Sequence, residues 1–176
     1  MWRAGKQSRG VWLIVGLFAG MFVGSFLPGW PDTPLHAVAT DRHENFAIAT
    51  GALDEDIEAV YFLDFLTGDL MGAALGVQSG KFIAFYKYNI LGDFGVDVSK
   101  NPRFLIVTGF ANLVRGGARF QPANSVVYIA ELTTGKVAAY SIPWDPTSHR
   151  RNQPFTGTFV LLDVKQFRNV AIREQE

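Results

Sequence analysis

The chain has 176 residues, of which 48% are apolar, and its sixteen basic and sixteen acidic side chains give a formal net charge of zero. This length fits one domain plus an appendage, and without a net charge we expect no nucleic-acid partner. The absence of cysteine excludes disulfides, thiolate metal sites and cysteine nucleophiles. Eighteen glycines and fifteen phenylalanines are more typical of a turn-rich β protein than of a helical bundle.

The N-terminal segment has the pattern of a membrane anchor. Residues 1–10 carry three basic side chains, and an uncharged apolar run follows from Val11 to Leu27. Counted on to Trp30, about 20 residues of helix would cross a bilayer core of roughly 30 Å. We predict a transmembrane helix over 11–30, with 1–10 in the cytoplasm and the remainder exported. The alternative is a cleaved signal peptide, because Ala37-Val38-Ala39 has the small-x-small form of a cleavage site.

Within this apolar run, glycine recurs at every fourth position, as Gly16, Gly20 and Gly24. On a helix these three lie along one ridge, and bulky phenylalanines lie about 200° away. In lipid, close backbone contact through small residues is a main source of helix association. The glycine ridge therefore predicts that the helix packs against another helix, in a homo-oligomer or a larger complex.

The rest of the chain predicts a mainly β fold with an internal repeat. A polar, proline-containing linker covers 31–45, a β domain covers 46–168, and a short tail covers 169–176. FAIATG at 46–51 matches FLIVTG at 104–109, and VYFLDFLTGDLMGA at 60–73 matches VYIAELTTGKVAAY at 127–140. We predict two antiparallel four-strand meanders, over 46–88 and 104–164. Each contains a Thr-Gly turn in which glycine adopts a positive φ.

The stretch VYFLDFLTGDL resembles blades of the quinoprotein-like β-propellers, in which a strand, an acidic residue and a Thr-Gly turn recur. The tryptophan of that family is missing after the turn, so the resemblance implies blade geometry and no cofactor. Two blades cannot close a propeller. Either the meanders pack on each other as a sandwich or barrel, or several chains form one ring. FAIATG followed by VYFLDFLTGDL behind a single anchor also resembles uncharacterised membrane-anchored proteins of planctomycete bacteria, which implies no activity.

The two repeats differ most in one loop each. The first loop is acidic and the second basic; their charged residues are Asp54, Glu55, Asp56 and Glu58 in the first, and Arg115 and Arg119 in the second. Two unrelated solvated loops are one interpretation, since exposed ion pairs contribute only about 0 to 1 kcal/mol. The sharper hypothesis is head-to-tail pairing of the acidic loop of one subunit with the basic loop of the next.

Other candidate sites give weaker signals. Four possible metal ligands lie in the linker without convergent spacing, so we expect no metal: His36, Asp41, His43 and Glu44. The triplet Asp93-Phe94-Gly95 also occurs in protein kinases as a magnesium site, but no kinase glycine loop or catalytic loop accompanies it. Trp144, between proline and aspartate, is the candidate for stacking on a carbohydrate.

These patterns indicate a non-enzymatic, single-pass membrane protein that serves as a structural or scaffold subunit of a cell-envelope assembly. A pilin-like filament subunit is a variant, although the early glutamate of type IV pilins is missing. An extracytoplasmic module that binds carbohydrate or peptide is the competing class, and an enzyme comes third.

Overall fold

The computed structural model describes residues 12–19, 22, 40–114 and 120–168. The chain divides into two units, Met1–Leu35 and His36–Glu176. In the first unit, 12–19 and 22 are helical and exposed. Within the described residues, no helix has both the length and the apolar character needed to cross a bilayer. Gly20, Gly24 and most of the predicted span lie outside the described residues.

The second unit is mainly β, as predicted. Its strands in chain order are β1 Thr40–Arg42, β2 Phe46–Asp54, β3 Ile57–Asp64, β4 Asp69–Leu75, β5 Phe82–Asn89, β6 Phe104–Phe110, β7 Gln121–Glu131, β8 Lys136–Trp144, β9 Phe155–Gly157 and β10 Val160–Gln166. The first sheet has the order β1-β2-β3-β4-β5-β9, and the second has the order β10-β8-β7-β6. All pairs are antiparallel except β5–β9.

The two meanders predicted from the repeat are present. Strands β2 to β5 form the first, and β6, β7, β8 and β10 form the second. Within the predicted linker 31–45, Thr40–Arg42 form β1 and pair with β2. The second meander also differs from a simple repeat. Between β8 and β10 the chain forms the short helix Pro146–Arg150 and then β9, which crosses to the first sheet.

The Thr-Gly turns have the same geometry in both meanders. Gly68 and Gly135 each adopt a φ of 72°, in the left-handed region that glycine enters without strain. In each turn the glycine N–H donates to the carbonyl oxygen of the acidic residue that ends the preceding strand, Asp64 or Glu131. The carboxylate of that residue accepts further backbone N–H groups of the turn. The acidic residue and the glycine therefore form one turn motif, used twice.

The two sheets pack face to face around one core. Residues alternate between buried and more exposed along β3, β4 and β6, as expected for strands with one face inward. Side chains of both sheets contribute to the core, among them Tyr61, Leu63, Ile106 and Tyr140. This arrangement is the sandwich alternative of the sequence analysis, since both meanders are covered within one chain.

Two hydroxyl groups connect the sheets where β2 approaches β6 and β7. The Thr108 hydroxyl donates to the Thr50 carbonyl oxygen, and the Ser125 hydroxyl donates to the Ala52 carbonyl oxygen at 2.6 Å. Gly51 lies against Thr108, and a Cβ built on this glycine would be 2.9 Å from the threonine side chain. The two backbones therefore approach closely at this point.

A short helix fills the gap between the sheets at the other side of the core. It covers Leu91–Phe94, and the Asp93 carboxylate accepts hydrogen bonds from Tyr88 of the first sheet and Tyr140 of the second, at 3.2 and 2.9 Å. Lys136 donates to the Phe94 carbonyl oxygen at 2.9 Å. In this structure, the triplet at 93–95 joins the two sheets.

The shared turn geometry predicts that Gly68→Ala destabilises the domain by about 1 to 3 kcal/mol. The new Cβ would occupy a positive-φ position and lie 2.3 Å from the Leu91 side chain. Gly80→Ala is the matched control, because Gly80 has a φ of 61° with no neighbour within 4 Å of a built Cβ. Urea unfolding should show a larger loss for Gly68→Ala; equal losses would contradict a close approach to Leu91.

The hydrogen bonds to the Glu131 carboxylate predict how the free energy of unfolding depends on pH. Burial alone would raise its pKa, but hydrogen bonds from Thr134 and Thr133 outweigh burial and hold the pKa below its usual value. Its stabilising contribution is therefore present above the unfolded-state pKa of about 4.3 and is lost as the pH falls through the lower folded-state pKa. Glu131→Gln should be less stable than wild type at pH 7, and the difference should narrow below pH of about 4.

The measurement is urea unfolding of both proteins across this pH range. Glu55→Gln is the control, since Glu55 is an exposed acid in another turn. A stability difference between wild type and Glu131→Gln that stays constant with pH would contradict the role assigned to the Glu131 carboxylate.

Candidate assembly surface

The outer face of the first sheet is apolar across several strands. The pairing register places one row as Thr50, Val60, Ala73, Phe85 and Thr156, on five neighbouring strands. A second row contains Asp41, Ile48, Phe62, Met71 and Lys87. Both rows lie on the side opposite the core. We call this surface the outer face.

Large apolar side chains on the outer face are partly open to solvent. Phe82 is 51% exposed and Phe85 46% exposed, and their rings lie 6.4 Å apart. Phe46 and Phe62 stack at 5.0 Å toward the β2 side of the face. The centre of the face forms a groove of about 490 Å³, lined by residues that include Val60, Phe62, Met71, Ala73, Phe82 and Phe85. Contiguous exposed apolar surface of this kind is typical of interaction sites.

Charged groups lie at the margins of the outer face. Lys87 forms a 2.8 Å ion pair with Asp69, and the hydrogen bond from Lys87 is the main cause that lowers the pKa of Asp69. Asp41 lies at the opposite end of the row that contains Lys87. An apolar centre with a polar rim is the usual composition of a protein interface.

The acidic loop of the first repeat is a tight turn between β2 and β3. Glu55 and Asp56 form the turn and are exposed, whereas Glu58 is an exposed residue of β3. Asp54 ends β2 and turns inward, where its carboxylate accepts a 3.1 Å hydrogen bond from the Trp144 indole N–H. The structure therefore separates Asp54 from the three exposed acids.

Trp144 is a core residue with a 2% exposed side chain. Its ring lies 4.8 Å from that of His149 and 5.8 Å from that of Phe155. A carbohydrate platform needs an open ring face, and in this structure protein groups cover the indole. Trp144 is the last residue of β8, and its side chain lies on the inward face of that strand.

The acidic turn lies near the end of β6 and the start of β7, because the Thr108 and Ser125 hydroxyls contact the last residues of β2. Head-to-tail pairing of the acidic loop with the basic loop stays a prediction. Arg115 and Arg119 themselves lie outside the described residues.

A buried polar group lies next to Trp144. Asp145 begins the helix Pro146–Arg150, and its carboxylate accepts hydrogen bonds from the Thr147 and Ser148 backbone N–H groups and from the Ser148 hydroxyl. His149 Nε2 lies 2.8 Å from the Leu75 carbonyl oxygen. Serine is hydrogen-bonded to aspartate and histidine to backbone, so these contacts cap the helix and attach it to β4. They do not form a nucleophile–base pair.

Two buried tyrosines, Tyr61 and Tyr86, have hydroxyl groups without a well-formed hydrogen bond among the described residues, although the Tyr61 hydroxyl lies close to the Ser125 side chain. Burial raises the pKa of both hydroxyls, so they stay protonated at neutral pH. Their rings pack with Phe159 at 6.1 and 5.8 Å. Their main contribution in this structure is therefore to core packing.

In the part of the chain that the structure describes, no three His, Asp or Glu side chains group closely enough to hold a metal ion. His36 lies outside that part. Asp41 belongs to β1, and His43 stacks on Phe46 with ring centroids 5.6 Å apart. The four residues were expected together in an unstructured linker. In the structure, Asp41 lies in a strand and His43 contacts an aromatic ring instead.

No protein-family model matches this chain, and neither the curated proteins nor the solved structures contain a significant match to it. The resemblances to propeller blades and to the planctomycete proteins therefore stay predictions.

The outer face was missed by sequence reasoning, although a signal for it exists. Strands that are covered on one face only should alternate apolar and polar residues. FAIATGA in β2 and VYFL in β3 instead have apolar residues at nearly every position. Such runs are typical of strands that are covered on both faces.

The Trp144–Asp54 contact predicts coupled effects on stability. Trp144→Phe removes the indole donor from a carboxylate and should lower the free energy of unfolding by about 2 kcal/mol, since hydrogen bonds to charged groups contribute about 1.5 to 3 kcal/mol. Combined with Asp54→Ala, the two losses should be less than additive, by about 1 kcal/mol. A double-mutant cycle by chemical unfolding measures this, with Asp56→Ala as the exposed control. Additive losses would contradict the contact.

Proposed function

We propose that the protein is a non-enzymatic structural subunit that anchors in the cell envelope by its N-terminal helix and assembles with copies of itself through the outer face. The single observation that carries this proposal is the partly exposed apolar centre of the outer face, which has about the composition of a protein interface. The charge distribution around the N-terminal segment supports an exported location of the β domain.

A second copy fits the outer face by symmetry. The row across the sheet begins with Asp41 and ends with Lys87, which are opposite in charge and lie on the first and the fifth of five neighbouring strands. A two-fold axis parallel to the strands reverses this row, so Asp41 of one copy lies over Lys87 of the other. Phe62, at the middle of the row, would then meet its own counterpart, and Met71 would meet Ile48 of the other copy. Such a self-complementary patch is what an isologous dimer requires.

Packing of two outer faces also agrees with the geometry of β-sandwiches. Sheets that pack face to face lie about 10 Å apart with strands nearly aligned, and their side chains interdigitate. The groove lined by Val60, Ala73 and Phe85 would receive apolar side chains of the second copy. The assembled protein would then contain four sheet layers, with apolar contact between each neighbouring pair.

The helical residues of the first unit support a membrane anchor. Trp12, Leu13, Leu17 and Phe18 are each at least two-thirds exposed. A Cβ built on Gly16 would have no neighbouring atom within 4 Å, so a smooth strip of helix surface is open at that position. Apolar helix surface of this kind is stable in hydrocarbon or against another helix.

Phe85→Glu in the full chain should weaken assembly, with the dissociation constant rising about tenfold or more, because the interface would bury an unpaired carboxylate. The measurement is the mass distribution in detergent at several chain concentrations. Stability of the domain should change little, since nearly half of the Phe85 side chain is exposed.

Phe110→Glu is the matched control, because it makes the same substitution at a 68% exposed phenylalanine outside the outer face. Assembly of Phe110→Glu should match wild type. A mass distribution for Phe85→Glu that equals that of the control would remove the outer face from the proposal. A wild-type protein that is monomeric at all concentrations would remove self-assembly altogether.

A further inference from the structure

A polar cleft lies at the end of the domain where β2 begins. It has a volume of about 600 Å³, and its lining includes two arginines, Arg42 and Arg103, together with Asn45, Phe65 and Ser99. Glu44 is an acidic residue on the lining. Guanidinium groups bind carboxylates through paired N–H donors, which makes a cleft with two of them suited to an acidic ligand. We call it the arginine cleft.

Arg42 is held in place but lacks an acceptor. Its guanidinium carbon lies 5.5 Å from the centre of the Phe65 ring, in a cation–π arrangement. The Arg42 Nε is buried, and no described residue accepts a hydrogen bond from it. Neither Arg42 nor Arg103 has an ion-pair partner within the described residues. Each arginine therefore retains donors that an acidic group could use.

The exposed acids Glu55 and Asp56 lie at the opposite end of the domain. Asn45 precedes β2 and Glu55 follows it, and the strand between them has nine residues. At about 3.3 Å per residue, the arginine cleft and the acidic turn are about 30 Å apart. The two arginines and the two exposed acids therefore lie at opposite ends of the domain.

We propose that the arginine cleft receives the acidic turn of a second copy, so that domains stack end to end. Glu55 and Asp56 of one copy would contact Arg42 and Arg103 of the next. This proposal rests on the self-assembly described above and adds a second contact to it. The contact is heterologous, since two different surfaces meet, and it can therefore extend a chain of subunits.

The shapes of the two surfaces agree with this contact. The acidic turn has only two residues between its strands, which lie about 5 Å apart in a hairpin. Such a narrow projection can enter the cleft and bring two carboxylates to its arginines. Leu66, which is 62% exposed on the lining of the cleft, offers an apolar contact to the aliphatic part of the entering turn.

Reversing one charge on each side tests the contact with the full chain in detergent. Arg103→Glu alone should lose end-to-end contacts, with at least about tenfold weaker association between ends, and Asp56→Arg alone should do the same. An equimolar mixture of the two variants should restore them. In the mixture, the arginine at position 56 meets the glutamate at position 103, and the other two ends keep their native residues. Native mass spectrometry and light scattering report the species formed.

The outer-face contact and the end-to-end contact should give complexes of different mass in this experiment. Because Arg103→Glu leaves the outer face intact, its mass should stop at pairs, whereas the mixture should contain larger species of alternating composition. Lys165→Glu makes the same charge reversal on β10, at the opposite edge of the second sheet from Arg103, and should assemble as wild type does. Failure of Phe85→Glu to affect pairing would count against the outer face and not against the arginine cleft.

Three results would overturn the end-to-end contact. The first is unchanged assembly of Arg103→Glu at low salt, where electrostatic contacts are strongest. The second is loss of assembly in both single variants without recovery in their mixture, since the two positions would then act at separate places. Binding of an acidic peptide at the cleft without end-to-end species in wild type would also contradict it, because the cleft would then serve another partner.

Discussion

A strand that is apolar on both faces can cover only one of them inside a two-layer sandwich. The two meanders of this protein cover their inner faces against each other, with Tyr61 and Tyr140 among the largest buried side chains. β2 and β3 have apolar residues on their other side too, and no element among the described residues packs over that side. The outer face follows from this constraint, and self-assembly is the response we propose to it.

The two meanders share the construction of their turns, and they differ in the segment before the last strand. Both meanders use an acidic residue and a Thr-Gly pair with a positive-φ glycine to reverse the chain. The turn between their central strands therefore has the same construction in both. The second meander then inserts 145–159 before its last strand. This insertion places His149 against the first sheet and brings β9 to the edge of β5, where Phe155 packs on Tyr86. The two halves are thereby joined by more than their core.

Local patterns determined much of the fold, and the sequence predicted those parts. The internal repeat and the Thr-Gly turns identified two four-strand meanders, because the preferences of strands and turns depend on neighbours within a few residues. The positions that escaped prediction depend on distant partners. β1 is only three residues long and exists through pairing with β2, and β9 pairs with a strand about seventy residues earlier in the chain. The Trp144–Asp54 hydrogen bond likewise joins residues 90 positions apart.

The candidate surfaces also depend on residues that are distant in sequence, so the sequence alone predicted them only in part. The charge of the acidic turn was evident from four acids within five residues, but its placement beside the β6–β7 connection depended on how the sheets stack. Arg42 and Arg103 are far apart in sequence, so their shared cleft required the folded chain. The apolar outer face was present in the sequence as uninterrupted apolar runs, and only the sheet order showed that one side stays open.

Carbene footprinting of the full chain in detergent tests the central claim most directly, because it reports which apolar side chains solvent reaches. The account predicts that labelling of Phe82 and Phe85 falls as chain concentration rises, while labelling of Phe167, which is 75% exposed elsewhere on the domain, stays constant. Labelling of all three side chains that is independent of concentration, across a range in which the mass of the complex changes, would contradict assembly through the outer face.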